Sequence, residues 1–168
     1  MSSLSSQPSK PSNVLIFLFR LPVFLYRLGL GWVFGRRFLM LTHLGRRSGR
    51  VRRTVLEVIR FDKSLSESIV VSAYGKKADW YRNIQVKPAV EIQVGKDRFI
   101  PIQRFLASDE VYDEFVEYER LHPFAVKNLS KLLGIQYDGS DSGRRLLVDS
   151  FRMVSFRPRS VGDSKVYQ

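Results

Sequence analysis

FLMLTH (Phe38–His43), GRRSGR (Gly45–Arg50) and RRTVLEVIRF (Arg52–Phe61) follow one another almost without a gap. The first is a continuous apolar run, as in a strand buried on both faces, and the third alternates and is rich in β-branched residues. Two strands joined by a short glycine-bounded turn make an antiparallel pair. Outward from this pair, Asp62–Ser68 is a polar hairpin loop and SIVVSAY (Ser68–Tyr74) a buried strand broken by Gly75. KKADWYRNIQ (Lys76–Gln85) predicts a short helix that stops before Pro88. AVEIQV (Ala89–Val94) and RFIPIQRFL (Arg98–Leu106) are strands separated by Gly95-Lys96-Asp97, and Pro101 marks an edge or a bulge. Ser108 is expected to cap a helix running to about Leu121, and Pro123 to open a second one ending at Gly134. Phe151–Arg157 is the last strand. The expected fold class is α+β, a mainly antiparallel barrel of about six strands with helices packed at its side.

The chain has 168 residues, 44% hydrophobic and 26% charged, which suits one globular domain. It has no cysteine, so disulfides and thiolate metal centres are excluded, and its two histidines, His43 and His122, are too few for a His-based metal site. Net charge is +12, and residues 1–84 carry most of it, with 15 basic against 4 acidic side chains. A localised excess points to an anionic partner: nucleic acid, an anionic membrane surface, or a polyphosphate or polycarboxylate cofactor.

Residues 1–13 and 161–168 are expected to be flexible tails, with 35–160 as the folded domain. Between tail and domain lies VLIFLFRLPVFLYRLGLGWVF (Val14–Phe34), an apolar helix. Arg20, Arg27 and Pro22 make it a poor transmembrane span, and no small-residue cleavage site marks a signal peptide. Arg20 and Arg27 share one helical face, so the segment either packs on the core or lies in a membrane interface.

Thr42–Thr54 gathers five arginines, with Gly45, Gly49, Ser48 and Thr54 beside them. The glycines permit a tight turn that exposes N–H groups, the hydroxyls can donate, and guanidinium groups bind phosphate or carboxylate in a bidentate manner. Strand alternation sends Arg52 and Thr54 to one face and Arg53 to the other. The spacing is not that of a P-loop. A second element, Ser72-Ala73-Tyr74-Gly75 and then Asp79-Trp80-Tyr81-Arg82-Asn83, leads from a strand end into a helix. It can present donors to a phosphate or a flat ring, although Trp80 and Ile84 also have the spacing of a core-docking face.

Taken together, the strand, Gly-Arg-Arg-Ser-Gly-x-x-Arg-x-Thr, strand, Ser-x-x-Gly and Trp-Tyr-x-Asn resemble the deazaflavin-dependent nitroreductase family from about Phe38 to Leu106. The resemblance implies a split β-barrel oxidoreductase using coenzyme F-420, an 8-hydroxy-5-deazaflavin with a phosphodiester and a glutamate tail. It implies that Arg46, Arg47, Ser48 and Gly49 bind the phosphate and acidic tail, with Arg52 and Thr54 beneath the tail and the ring. Ser72, Ala73 and Gly75 would line the ring, and Trp80, Tyr81 and Asn83 would complete the pocket. Arg47 stands where members often carry Lys, and Val55 where Pro is frequent.

The expected reaction is hydride transfer from the reduced deazaflavin to a quinone-like, nitro or other conjugated acceptor, a lipophilic one in view of the apolar helix. Tyr74, Tyr112, Tyr118 and His43 are candidate proton donors among which no spacing selects. Helical residues 109–134 are expected to cover the ring side of the barrel. An FMN-dependent oxidoreductase of the same fold, or a non-catalytic deazaflavin- or lipid-binding protein, remains the alternative. Nucleic acid ranks low because the arginines cluster in one turn. The expected location is cytoplasmic, at most peripheral at the inner face of the membrane, and a homodimer stays open.

Overall fold

A computed structural model describes residues 35–72, 74–132 and 134–159. The expected tails, the apolar helix over 14–34 and Ala73 lie outside the described residues. The strands are β1 (Phe38–Leu44), β2 (Val51–Asp62), β3 (Glu67–Ser72), β4 (Glu91–Val94), β5 (Asp97–Phe99), β6 (Pro101–Phe105) and β7 (Arg152–Pro158). A single 3-10 turn at Gly75–Lys77 precedes α1 (Asp79–Val86). The other helices are α2 (Ser108–Leu121), α3 (Pro123–Leu132) and α4 (Asp141–Ser150).

All pairings are antiparallel, in the order β5-β4-β1-β2-β3-β7-β6. β2 carries both halves of this split barrel. Val51–Glu57 pairs with β1, Val58–Asp62 pairs with β3, and the register shifts between Val58 and Arg60, where a bulge bends the strand. The expected six strands become seven because RFIPIQRFL does not run as one strand. Asp97–Phe99 pairs with β4, whereas Pro101–Phe105 pairs with β7 on the opposite edge. Proline cannot donate to a ladder, so Pro101 starts β6 at its end, opposite Pro158.

Successive residues of β3 and β7 face different cores, as the pleat requires. Val70, Val154 and Phe156 point into the barrel with Leu39, Leu41, Leu56 and Ile92, and Trp80, Tyr81 and Ile84 of α1 pack onto the same cluster. Ile69 and Met153 point outward onto a second cluster with Val111, Phe115, Val126, Leu147 and Phe151, which α2, α3 and α4 cover. Gln103 ties the two ends of the α1–β4 connection to β6, donating to the Ile84 carbonyl and accepting from the Ala89 N–H.

One local expectation needs correction, and one element is new. Ser108 is the first residue of α2 rather than its cap; the Glu110 carboxylate reaches back to the Ala107 N–H at 2.9 Å and satisfies an orphan donor there. Helix α4 has no counterpart in the sequence pattern. Ser140 caps it by accepting from the Gly143 N–H at 3.1 Å, and Gly143 is buried where a Cβ would sit 2.9 Å from Asp138 Oδ1.

Gly75 has φ +53°, and a Cβ there would fall 2.5 Å from the Ser150 carbonyl oxygen. Both facts exclude a side chain. Gly75→Ala is expected to lower the unfolding free energy by about 1–3 kcal/mol, read as a shifted urea midpoint. An unchanged midpoint would show that the turn can move away from α4. On the helical side, the Glu119 carboxylate accepts from the Tyr137 hydroxyl and from Arg144 Nε, the latter at 2.6 Å. Burial, then the bond to Glu119, pushes the Tyr137 phenol up to about 12. The folded protein thus favours the neutral phenol. Its contribution is complete below the ordinary value of 10.0 and is lost as pH rises toward about 12. Tyr137→Phe should flatten that part of the stability-against-pH curve.

Candidate functional site

The β1–β2 turn is built from its own backbone. The Gly45 N–H donates to the Arg50 carbonyl at 2.9 Å, and the Gly49 N–H donates to the Gly45 carbonyl at 2.7 Å. Both glycine N–H groups are therefore used inside the turn. Gly49 adopts φ +64°. At Gly45 a Cβ would lie 2.7 Å from Ser48 Oγ and 3.2 Å from Arg52 Nε, so glycine lets the hydroxyl and the guanidinium close over the turn. The glycines thus shape the turn.

Helix α1 completes the site. Asn83, 2% exposed, sends Oδ1 to the Arg46 backbone N–H at 3.0 Å and to Arg46 Nη1 at 3.1 Å. The amide nitrogen then faces His43 Nδ1 at 3.1 Å, and His43 Nε2 lies 3.3 Å from Thr54 Oγ1. Asp79, at the helix start, holds Arg46 Nη1 at 2.8 Å, and this pairing lowers the Asp79 pKa. Burial lowers the pKa of His43, so its imidazole is neutral at pH 7.

Between turn and helix lies a recess of about 450 Å³. Arg46, Arg47, Ser48, Arg52, Thr54, Trp80 and Asn83 line it, as do His43, Gly45, Arg53 and Asp79. Four guanidinium groups thus face one carboxylate. Among the described residues, no hydrogen bond or ion pair engages the guanidinium groups of Arg47, Arg50, Arg52 or Arg53. An open cavity with unpaired guanidinium groups and two hydroxyls is chemically suited to a multiply charged anion.

The remaining sequence candidates lie elsewhere. Gly49 shapes the turn without lining the recess. Ser72 Oγ donates to the Gly75 carbonyl at 2.9 Å, so these two residues set the entry into α1. Tyr81 packs edge-on against Phe105, with ring centroids 5.3 Å apart, and borders a separate hollow of about 170 Å³ together with Arg152 and the start of α2. None of the tyrosine candidates lines the recess. Tyr74 is 68% exposed, the Tyr112 hydroxyl donates to Asp141, and Tyr118 packs beside His122. Among the described residues of 109–134 none lines the recess, while Val111 borders the second hollow beside Tyr81.

Four lining residues are absent from the motif-based set: His43, Gly45, Arg53 and Asp79. The register carries a signal for the first, because His43 sits opposite Arg52 with Thr54 on the neighbouring diagonal. Arg53 stands opposite Thr42, as alternation requires, yet its long side chain still reaches the recess. No sequence signal joins Asp79 to Arg46. Among the described residues, no helix is long and apolar enough to cross a membrane.

A family model described as F420H(2)-dependent quinone reductase matches residues 26–129, more than half of the chain. Among solved structures, the chain is similar to one described as an F420-H2 dependent reductase (FDR-A), with 16% identity and a TM-score of 0.48, covering 73% of this chain and 96% of that one. It is also similar to a pyridoxamine 5'-phosphate oxidase-related, FMN binding protein from Nostoc punctiforme, with 16% identity and a TM-score of 0.44, covering 89% of this chain and 81% of that one. No curated protein matches the chain.

Removal of the Asn83 amide would leave the Arg46 N–H and His43 Nδ1 without their partner. Asn83→Ala is expected to cost about 1–3 kcal/mol of stability in urea denaturation. A stability within 0.5 kcal/mol, roughly, of the original would show that water replaces the amide.

Proposed function

Because the chain belongs to the F420H(2)-dependent quinone reductase family, we propose that the recess between the β1–β2 turn and α1 receives the phosphodiester and glutamate tail of coenzyme F-420. Family membership makes the protein an F-420-dependent oxidoreductase. The observation that carries the location of the tail is the charge of the recess: Arg46, Arg47, Arg52 and Arg53 against the single carboxylate of Asp79. FMN has one phosphate, whereas this coenzyme adds carboxylates, and the surplus of unpaired guanidinium groups suits the more anionic of the two.

The side chains divide the work. Arg46 is held by Asp79 and Asn83, so it fixes the turn rather than reaching for a ligand. Arg47, Arg52 and Arg53 are the groups that take phosphate and carboxylate oxygens, and the Ser48 and Thr54 hydroxyls add neutral donors. Trp80, 8% exposed, forms the apolar wall against which a flat ring can lie. Ser72 and Gly75 act on the site by setting where α1 begins. When bound in its reduced form, the coenzyme supplies a hydride. The protein's task is to orient that donor and to keep its charged tail anchored while an acceptor approaches.

The acceptor is a quinone-like conjugated molecule that takes up the hydride and a proton to leave a hydroquinone. The family description supports this class. The apolar stretch Val14–Phe34 supports a lipophilic member of it, met at an anionic membrane surface.

Spectroscopic titration of the purified chain tests the reading. Saturable binding of F-420 is expected, weaker as salt rises and tighter than that of FMN. Arg52→Gln should weaken it about tenfold, the loss of one charge-assisted hydrogen bond. Equal affinity for FMN, or no saturation with F-420, would reject the assignment. Steady oxidation of the reduced coenzyme by a menaquinone analogue is the expected catalytic result, and binding without turnover would make the protein a carrier instead.

A further inference from the structure

His43 stands out in the recess wall: a histidine 2% exposed, on the inner face of a barrel strand, with both ring nitrogens engaged by side chains. Its partners determine its protonation pattern. Asn83 Oδ1 already accepts twice from Arg46, so the amide nitrogen is the group that faces His43. An amide nitrogen can only donate, so Nδ1 must be the bare, accepting nitrogen. A neutral imidazole then carries its hydrogen on Nε2, directed at Thr54 Oγ1, 3.3 Å away. With that oxygen occupied as an acceptor, the Thr54 hydroxyl hydrogen is left to donate elsewhere, and Thr54 lines the recess.

We propose that His43 is a positioning residue for anion binding: with Asn83, it holds the Thr54 hydroxyl as a hydrogen-bond donor toward the ligand's phosphate. The chain of bonds runs in one direction, from Arg46 N–H to Asn83, from Asn83 to His43, from His43 to Thr54, and from Thr54 into the recess. The residues that face His43 suit this role. The Leu44 backbone lies beside the ring, Arg52 across the β1–β2 pair and Asp79 at the start of α1, while the Asn83 amide occupies Nδ1 at 3.1 Å. A buried neutral imidazole in this position adds direction without adding charge. The inference rests on the assignment of the recess to the F-420 tail, although the tautomer itself does not.

Two measurements on the full chain decide it. Nitrogen-15 NMR of the imidazoles at neutral pH should show His43 protonated at Nε2 and bare at Nδ1. The opposite tautomer or an imidazolium would overturn the proposal. In F-420 titrations, His43→Leu should weaken binding roughly three- to tenfold, the worth of one neutral hydrogen bond. His43→Gln, whose amide can donate at the Nε2 position, should recover most of that loss. Thr54→Val should match His43→Leu, and the double variant should be no weaker than Thr54→Val alone, because one acts through the other. Additive losses, or an unchanged affinity in His43→Leu, would overturn the proposal. If the leucine variant does not fold, His43→Asn takes its place: it keeps an acceptor for Asn83 but falls short of Thr54, and it should bind as weakly as Thr54→Val. A wild-type chain that fails to bind F-420 strikes the functional reading. A wild-type chain that binds while every His43 variant binds equally strikes this inference alone.

Discussion

One amide side chain joins the two parts of the site. Asn83 leaves α1, accepts from the Arg46 backbone and guanidinium, and donates to His43 of β1. Among the described residues, the β1–β2 turn has no other hydrogen-bonded side-chain tie to the helix except Arg46 to Asp79, which is exposed. A buried amide whose donors and acceptor are matched tolerates few alternative arrangements, because each mismatch leaves an unpaired polar atom inside the protein. Position and orientation of the recess follow from that constraint.

Charge in the recess is arranged by type. The turn's glycine N–H groups are consumed internally, and the arginine that is tied down, Arg46, is the one near a carboxylate. The remaining guanidinium groups of the wall have no protein partner among the described residues. Holding like charges together costs free energy, and an anion placed among them would offset that cost. The same arginines would gain little from solvent-exposed carboxylates on the surface, where water screens each pair.

Much of this was legible in the residues. The hairpin Phe38–Phe61, the following strand, α2 and α3 all carry periodicity and end signals strong enough to read. The cluster Arg46, Arg47, Ser48, Arg52, Thr54, Trp80 and Asn83 was visible as two motifs. What hid the remainder was long-range contact. RFIPIQRFL reads as one strand because the break at Ile100 depends on two edges that are far apart in the sheet order. Helix α4 is short, contains Gly143, and is held by packing on α2 and in the apolar cluster it shares with β3 and β7 rather than by propensity. Asp79 and His43 join the site through register and helix placement, which no local pattern encodes. The tyrosines illustrate the reverse case: their chemistry nominated them, and their positions in the fold place them outside the recess.

β2 serves both halves of the barrel, with Arg52 and Thr54 in the recess at one end and Arg60 bonded to Glu114 of α2 at the other. The wall of the recess belongs to β1, β2 and α1, whereas the outer helical layer packs on its own apolar cluster. Sequence drift in that layer can therefore accumulate while the recess stays intact. Descendants of such a chain are free to diversify what α2 to α4 present to the outside and still inherit the same arginine-lined recess.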